Sequence, residues 1–395
     1  MKGIRRHLGT VRAALSIVTP LGWTVFVLGV VCWAAGLWWG WREAMVFAGV
    51  ALVLLLLAIT FTIGRIDLSA TIGVEPARVV VGDRAAGELT VTNRRRRAAR
   101  SLRLELPVGK ALAVFDQHVL KGEESTDELF VVPTNKRAII PVGPLTSVQG
   151  DPLGLLRRTQ VWSGIEEIYV HPKTTVLSTI AAGQIRDLEG QTTNALSSSD
   201  IAFHTLREYV RGDDLRHVHW KSSAKIGELM IRQYNDTRRS HIAVLVSTDP
   251  DEFESDDEFE LGISCAASVA MQALRDEQTL TVIAGGTQFP AISPNRLLDH
   301  FSGIEGVSGQ GGIEDALKVA RRIAADASVA VLCIGSRLDV PEIRRATSRA
   351  ALEMNSVVLR AALGSEPGYR TIGTSRFVNV PGLDGLNRGL AAVAA

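Results

Sequence analysis

Two long stretches without a charged residue, close together near the N-terminus, constrain this chain more than any other feature of its sequence. From Ala13 to Trp41 no residue is charged, and after Arg42 and Glu43 a second uncharged run extends from Ala44 to Gly64. Leu21 to Gly40 is the best spanning segment of the first run, and the second contains ALVLLLLAITF. Each is about twenty residues long, which at a rise of about 1.5 Å per residue crosses a hydrocarbon core of roughly 30 Å. Trp38, Trp39 and Trp41 gather between the runs, where amphipathic rings favour the membrane–water boundary. These features predict a transmembrane hairpin over 1–65. A cleaved signal peptide fits poorly, because the apolar segment is too long, lacks a small-residue cleavage site and is followed at once by a second span.

Basic residues set the orientation. Lys2, Arg5, Arg6 and Arg12 precede the first run and Arg65 follows the second, while the loop holds only Arg42, offset by Glu43. The N-tail and everything after Ile66 are therefore expected on the cytoplasmic side of the cell (plasma) membrane. The cysteines agree with a reducing compartment. There are three, Cys32, Cys265 and Cys333, far apart and in apolar runs, with no disulfide framework or zinc spacing.

The 395 residues suffice for an anchor and two modest domains. Lys and Arg number 43 against 42 Asp and Glu, which argues against a whole-chain nucleic-acid binder. Over 66–172 the segments LSATIGV, ARVVVG, GELTVTN, SLRLELPV, ELFVVPT, RAIIPVGPLTSV, TQVWS and EEIYVHP alternate apolar and polar residues between Gly, Pro, Asn and Asp punctuation. About seven short strands of this kind predict a small β-sandwich. The run Asn93 to Arg97 reads as an exposed hairpin tip, and Asp151-Pro152-Leu153-Gly154-Leu155 as an ordered turn.

A polar connector over 173–240 contains the densest charged stretch, from Phe203 to Lys225. Gly212-Asp213-Asp214 suits a turn and a helix start, with Asp214 as cap, which would put Arg216, Trp220 and Ser223 on one helical side. Arg207, Glu208, Asp213 and Asp214 are placed to form a charge-assisted network with Arg216 and Lys221. Such a network serves structure or, partly exposed, partner docking. Two other chemistries remain open: metal binding by His217-x-His219 with an aspartate, poorly served by helical geometry, and acid–base work by His219 with Asp213. No GxxxxGK[ST] loop occurs, which disfavours ATP hydrolysis by this chain.

From about 241 to 395 strands and helices alternate: HIAVLVS, a helix over 259–275, TLTVIAG, a helix over 313–325, VAVLCIGS, a helix over 341–351 and SVVLRAAL. Arg376 to Val380 reads as an edge strand, followed by a helix from about Leu383. This alternation predicts a doubly wound, mostly parallel sheet covered on both faces. The acidic stretch Asp249 to Glu260 reads as a solvated loop and helix N-terminus.

REYVRGDDLRHVHWKSSAK resembles the signature of the bacterial domain-of-unknown-function-58 family, and DPLGLLRR resembles the turn that precedes it there. The order of parts is also similar, over nearly the whole chain. The resemblance implies a von Willebrand factor A-like C-terminal domain, association with a MoxR-type AAA+ ATPase and a transglutaminase-like membrane protein, and no assigned biochemical activity. A complete A-domain carries Asp-x-Ser-x-Ser after its first strand. Here Ser247-Thr248-Asp249-Pro250-Asp251 stands in that place, so Ser247, Asp249 and Asp251 are degenerate positions for a magnesium ion. The expectation is a membrane-anchored scaffold or adaptor rather than an enzyme, with no cofactor and no nucleic acid. Its motif positions are Arg207, Glu208, Asp213, Asp214, Arg216, His219, Trp220 and Lys221. The alternative is a divergent divalent-metal module, or a hydrolase using Asp213 and His219.

Overall fold

The computed structural model describes residues 17–62, 67–99, 102–117, 119–177, 203–210, 215, 218–234, 241–290, 292–349, 355–372 and 375–392. The chain divides into two compact units, Met1–Val170 and His171–Ala395.

The first unit opens with helices α1 (Pro20–Trp39) and α2 (Arg42–Thr62). Pro20 pre-sets the first turn of α1, and the Thr19 hydroxyl caps it by accepting from Gly22 N at 3.0 Å. Both helices are long and apolar enough to cross a bilayer, and most of their side chains face outward. Ten strands follow: β1 (Leu68–Val74), β2 (Arg78–Val80), β3 (Ala85–Asn93), β4 (Leu102–Val108), β5 (Ala111–Gln117), β6 (Ser125–Val132), β7 (Ala138–Val142), β8 (Thr146–Gly150), β9 (Arg157–Val161) and β10 (Glu166–His171). One sheet has the order β1-β3-β6, the other β2-β10-β7-β4-β8-β9 with β5 also paired to β4. Alternation along β3 and β4 turns every second residue inward, so Leu89 and Val91 of one sheet meet Leu104 and Leu106 of the other in a common core. This is a β-sandwich. Asn93 ends β3 buried, its amide donating to the carbonyls of Arg97 and Lys121, and Arg96 beyond it is exposed at the tip.

The β8–β9 connection is a tight turn. Asp151 is buried and its carboxylate accepts from Leu153 N at 3.0 Å and Leu156 N at 2.7 Å, while Gly154 takes φ +69°. The turn is seated on the start of α1. Thr19 N donates to Leu155 O at 3.1 Å, the Thr19 hydroxyl donates to Gly154 O at 2.7 Å, and Arg157 N donates to Ile17 O at 2.7 Å. A Cβ on Gly22 would lie 2.2 Å from Leu155 O, so only glycine permits this approach. Leu155 and Leu156 form a small buried cluster with Ala58 of α2, against which Val25, Leu54 and Leu55 pack.

In the second unit β11 (Phe203–Glu208) pairs antiparallel with β12 (Met230–Tyr234), and the short helix α3 (Trp220–Ile226) lies between them. The main sheet comprises β13 (His241–Val246), β14 (Thr279–Ala284), β15 (Thr287–Phe289), β16 (Val329–Ile334), β17 (Asn355–Ala361), β18 (Gly368–Ile372) and β19 (Ser375–Val380). Its order is β15-β14-β13-β16-β17-β19-β18. The five inner strands are parallel, and β15 and β18 run antiparallel at the edges.

The helices are α4 (Asp256–Arg275), α5 (Pro294–Ser302), α6 (Ile313–Ile323), α7 (Val340–Arg349) and α8 (Leu383–Ala392). Every residue of β13 and β16 is buried, which is why these strands read as unbroken apolar runs. Ile242, Val244 and Val246 pack with α4, α5 and α8 on one face; Ala243 and Leu245 pack with α6 and Ile343 of α7 on the other. Cys265 and Cys333 lie in the first of these cores, where burial pushes the Cys265 thiol up to about 12 and the Cys333 thiol well above its ordinary range. Leu177 joins that core, and Thr175 N donates to Ser268 Oγ at 3.0 Å, so the start of the connector packs on this unit.

Three local expectations change. Arg376 to Val380 lies inside β19, an interior strand, because the more polar β18 covers its outer side. The continuous helix expected from Asp214 through Ser223 is interrupted at 218–219: Leu215 lies in a 3-10 turn and α3 begins at Trp220, while Asp214 and Arg216 lie outside the described residues. Val218 bridges Ile231 and His219 N donates to Met230 O at 2.8 Å, which holds 218–219 extended. The β15 strand and α5 had no counterpart in the sequence reading.

Candidate functional site

Two places in the second unit carry the sequence-predicted residues. The first is the β11–α3–β12 module. Arg207 and Glu208 of β11 pair with Ile231 and Met230. His219 caps α3 with its ring: Nδ1 lies 2.7 Å from Ser222 Oγ and 3.3 Å from Ser222 N. Ser223 is buried and clasps the module, donating to His219 O at 3.1 Å and accepting from Met230 N at 2.8 Å. Trp220 is 66% exposed and Lys221 is exposed beside it. Among the described positions His219 is thus a cap, and Trp220 and Lys221 face outward. Asp213, Asp214, Arg216 and His217 lie outside the described residues, so the aspartate network and the Asp213–His219 pairing fall there too.

The second place is the carboxyl end of the main sheet. Numbered in chain order, β13, β14, β15, β16, β17 and β19 give the doubly wound sequence 3-2-1-4-5-6, whose connections reverse between β13 and β16. Ligands of such sheets bind at that reversal, and here it is already furnished. Asp249 Oδ1 accepts from Asp251 N and from Gly309 N, both at 3.0 Å, and Asp251 Oδ2 accepts from the Ser308 hydroxyl. Thr248 N and Oγ1 both donate to Gly311 O, at 2.9 and 3.1 Å. The Asp249 and Asp251 carboxylates are thus committed to the loop at 308–311. Among the described residues no three His, Cys, Asp or Glu side chains converge as metal ligands.

Two further acids do structural work that the sequence reading assigned to solvent. Glu252 accepts from Ile313 N at 3.1 Å, at the first turn of α6. Burial raises its carboxyl above the ordinary value, with Asp249 and Glu314 adding to the rise; hydrogen bonds from Ser247 and Ile313 oppose it. Glu258 is 2% exposed. Its Oε1 accepts from Ser336 N at 2.6 Å and Glu254 N at 3.3 Å, and its Oε2 accepts from the Ser336 hydroxyl at 3.0 Å. It therefore ties the N-terminus of α4 to the loop after β16. The spacing Ser255-Asp256-Asp257-Glu258 was a visible signal, since it has the S-x-x-E form of a capping box, and Ser255 Oγ does accept from Glu258 N at 3.2 Å.

Beside this reversal a cleft of about 690 Å³ opens at the ends of β13 and β14. Thr248, Thr287, Phe289, Ile304, Gln310 and Lys318 line it, with Gly286, Gly309 and Gly311 on its rim. The Phe289 ring stacks on His300 at 5.4 Å, which fixes one wall. Lys318 Nζ donates to Asp315 at 2.7 Å, and that bond holds the ammonium above its usual range.

An apolar two-helix hairpin, a β-sandwich and an α/β unit with this module in front define the class of protein. Residues 205–349 match the family described as "Protein of unknown function DUF58", so this part of the chain carries a domain similar to that family. No curated protein matches it. Among solved structures, the CARDB domain of the PF1109 protein from Pyrococcus furiosus is similar, at 15% identity, covering 27% of this chain and 93% of that one, with a TM-score of 0.22. Spo0M, a sporulation control protein from Bacillus subtilis, is similar at 12% identity, over 34% of this chain and 58% of that one, with a TM-score of 0.16.

Proposed function

We propose that this protein is a membrane-anchored cytoplasmic scaffold or adaptor whose α/β unit offers a docking face to a protein partner. In this reading the α/β unit is von Willebrand factor A-like, which the 3-2-1-4-5-6 order with an antiparallel third strand supports. The two apolar helices and the basic residues flanking them support the anchor and its orientation. The observation that carries the reading is the cleft beside the strand reversal. It is open and of ligand size, and the neighbouring Asp249 and Glu252 carboxylates are given to backbone N–H groups of the loops around it, which fixes its shape. The resemblance of the signature stretch points to a MoxR-type AAA+ ATPase as partner.

The test is crosslinked affinity purification from native membranes with the wild type and a Gly286→Arg variant. A Cβ at Gly286 meets nothing within 4 Å, so the arginine fits on the rim and obstructs the cleft without straining the fold. Recovery of an AAA+ ATPase by the wild type and its loss by the equally stable variant is the expected result. Equal recovery would move the docking face elsewhere, and no ATPase with either protein would end the proposal of that partner.

A further inference from the structure

We propose that the β8–β9 turn, 151–156, is a third membrane contact, dipping into the bilayer at the boundary between headgroups and acyl chains with Leu153 as its tip. The inference rests on the reading of α1 and α2 as spanning helices and goes beyond it, because it places part of the β-sandwich in lipid.

Three observations support it. The turn is fixed to the hairpin by main-chain hydrogen bonds, Thr19 N to Leu155 O and Arg157 N to Ile17 O, and by the Thr19 hydroxyl to Gly154 O. Its depth therefore follows that of the helix ends. Depth is further set by Ala58, which packs with Leu155 and Leu156. Ala58 lies four residues before the end of α2 at Thr62, about 6 Å inside it at the rise of an α-helix. Leu54 and Leu55, a turn deeper again, touch the same cluster.

The turn's own chemistry is the third observation. Pro152-Leu153-Gly154-Leu155-Leu156 carries no charge, and the one acid, Asp151, is buried with its oxygens given to two backbone N–H groups. At the far side Arg157 Nη2 donates to both carboxylate oxygens of Glu105, at 2.9 and 3.0 Å, so that charge is matched within the protein. Leu153, by contrast, is 55% exposed between exposed Pro152 and Gly154. A turn with an exposed apolar tip, bonded to the start of α1, fits the interfacial zone. Trp23, exposed in the first turn of α1, has the side chain usual at that level.

Depth-dependent fluorescence quenching on the full chain in phospholipid vesicles tests this. Cys32→Ala removes the thiol in α1, and the thiols of Cys265 and Cys333, buried and held protonated, stay unlabelled. Leu153→Cys then carries an environment-sensitive dye, with Leu28→Cys, an exposed position within α1, as the reference. Expected for Leu153 is blue-shifted emission, stronger quenching by nitroxide lipids labelled near the glycerol than near the chain end, and little quenching by aqueous iodide. Emission at 153 that responds to iodide alone, while position 28 is quenched from within the lipid, overturns the inference and leaves the anchor standing. Absence of lipid quenching at both positions overturns the anchor and the inference together.

Discussion

Removing the Glu258 side chain, itself 2% exposed, takes their acceptor from Ser336 N, the Ser336 hydroxyl and Glu254 N at a partly buried site. Hydrogen bonds to a charged group are worth about 1.5–3 kcal/mol each when a buried partner is left unmet, and losses within one network do not add. Glu258→Ala is therefore expected to destabilise the second unit by about 2–4 kcal/mol in denaturant titration, whereas Asp257→Ala, at an exposed site, stays within about 0.5 kcal/mol. Equal effects at the two positions would show that the tie between α4 and the β16 loop contributes little.

Glu252 makes a prediction of opposite sense. Its folded carboxyl lies above the ordinary 4.5, so between the unfolded and folded values the native state holds the proton more tightly. The stability this contributes is present below the unfolded value and is lost as the pH rises through the folded one. Glu252→Gln removes that loss, so the difference in stability shifts in favour of the variant as the pH rises from about 4 to about 7. A pH-independent difference would contradict the raised value. The Ser255-x-x-Glu258 spacing signals a helix start, but neither long-range tie could be read from the acid run Asp249 to Glu260 itself, because the partners Ile313 and Ser336 stand 61 and 78 positions away in sequence.

At the scale of elements, the Ser223 hydroxyl ties α3 to β12 in the module that bears the signature stretch. Ser223→Ala leaves Met230 N without its acceptor and is expected to cost about 1–2 kcal/mol and to speed hydrogen exchange at Met230 by about tenfold or more. Unchanged exchange there would make the serine dispensable. The elements that the sequence disclosed share a local cause. β13 and β16 are buried on both faces and announce themselves as apolar runs, and the 151–155 turn is written in Asp, Pro and Gly chemistry that needs no distant help. Those that escaped lack such a cause. β11 and β12 exist through their mutual pairing in a polar stretch, β15 is only three residues long, and β18 is a polar edge that forms because β19 is there to pair with. A helix running unbroken into α3 was expected, but the bridge from Val218 to Ile231 competes with helical geometry at 218, and nothing in the neighbouring residues declares that bridge. The turn was legible, but its seat on Thr19, some 135 positions earlier, was not.

For the molecule as a whole the strongest expectation is topological. A reporter fused at the C-terminus should be active in the cytoplasm, because basic residues gather before α1 and after α2, while between the two uncharged runs only Arg42 stands, offset by Glu43. Activity on the other side would invert the arrangement and remove the cytoplasmic adaptor with it. The brevity of the hairpin then has a consequence of its own. Gly40 and Trp41 alone connect α1 to α2. If both helices span and both flanks face the cytoplasm as expected, the segment joining them offers the far compartment little more than a tryptophan-rich bend.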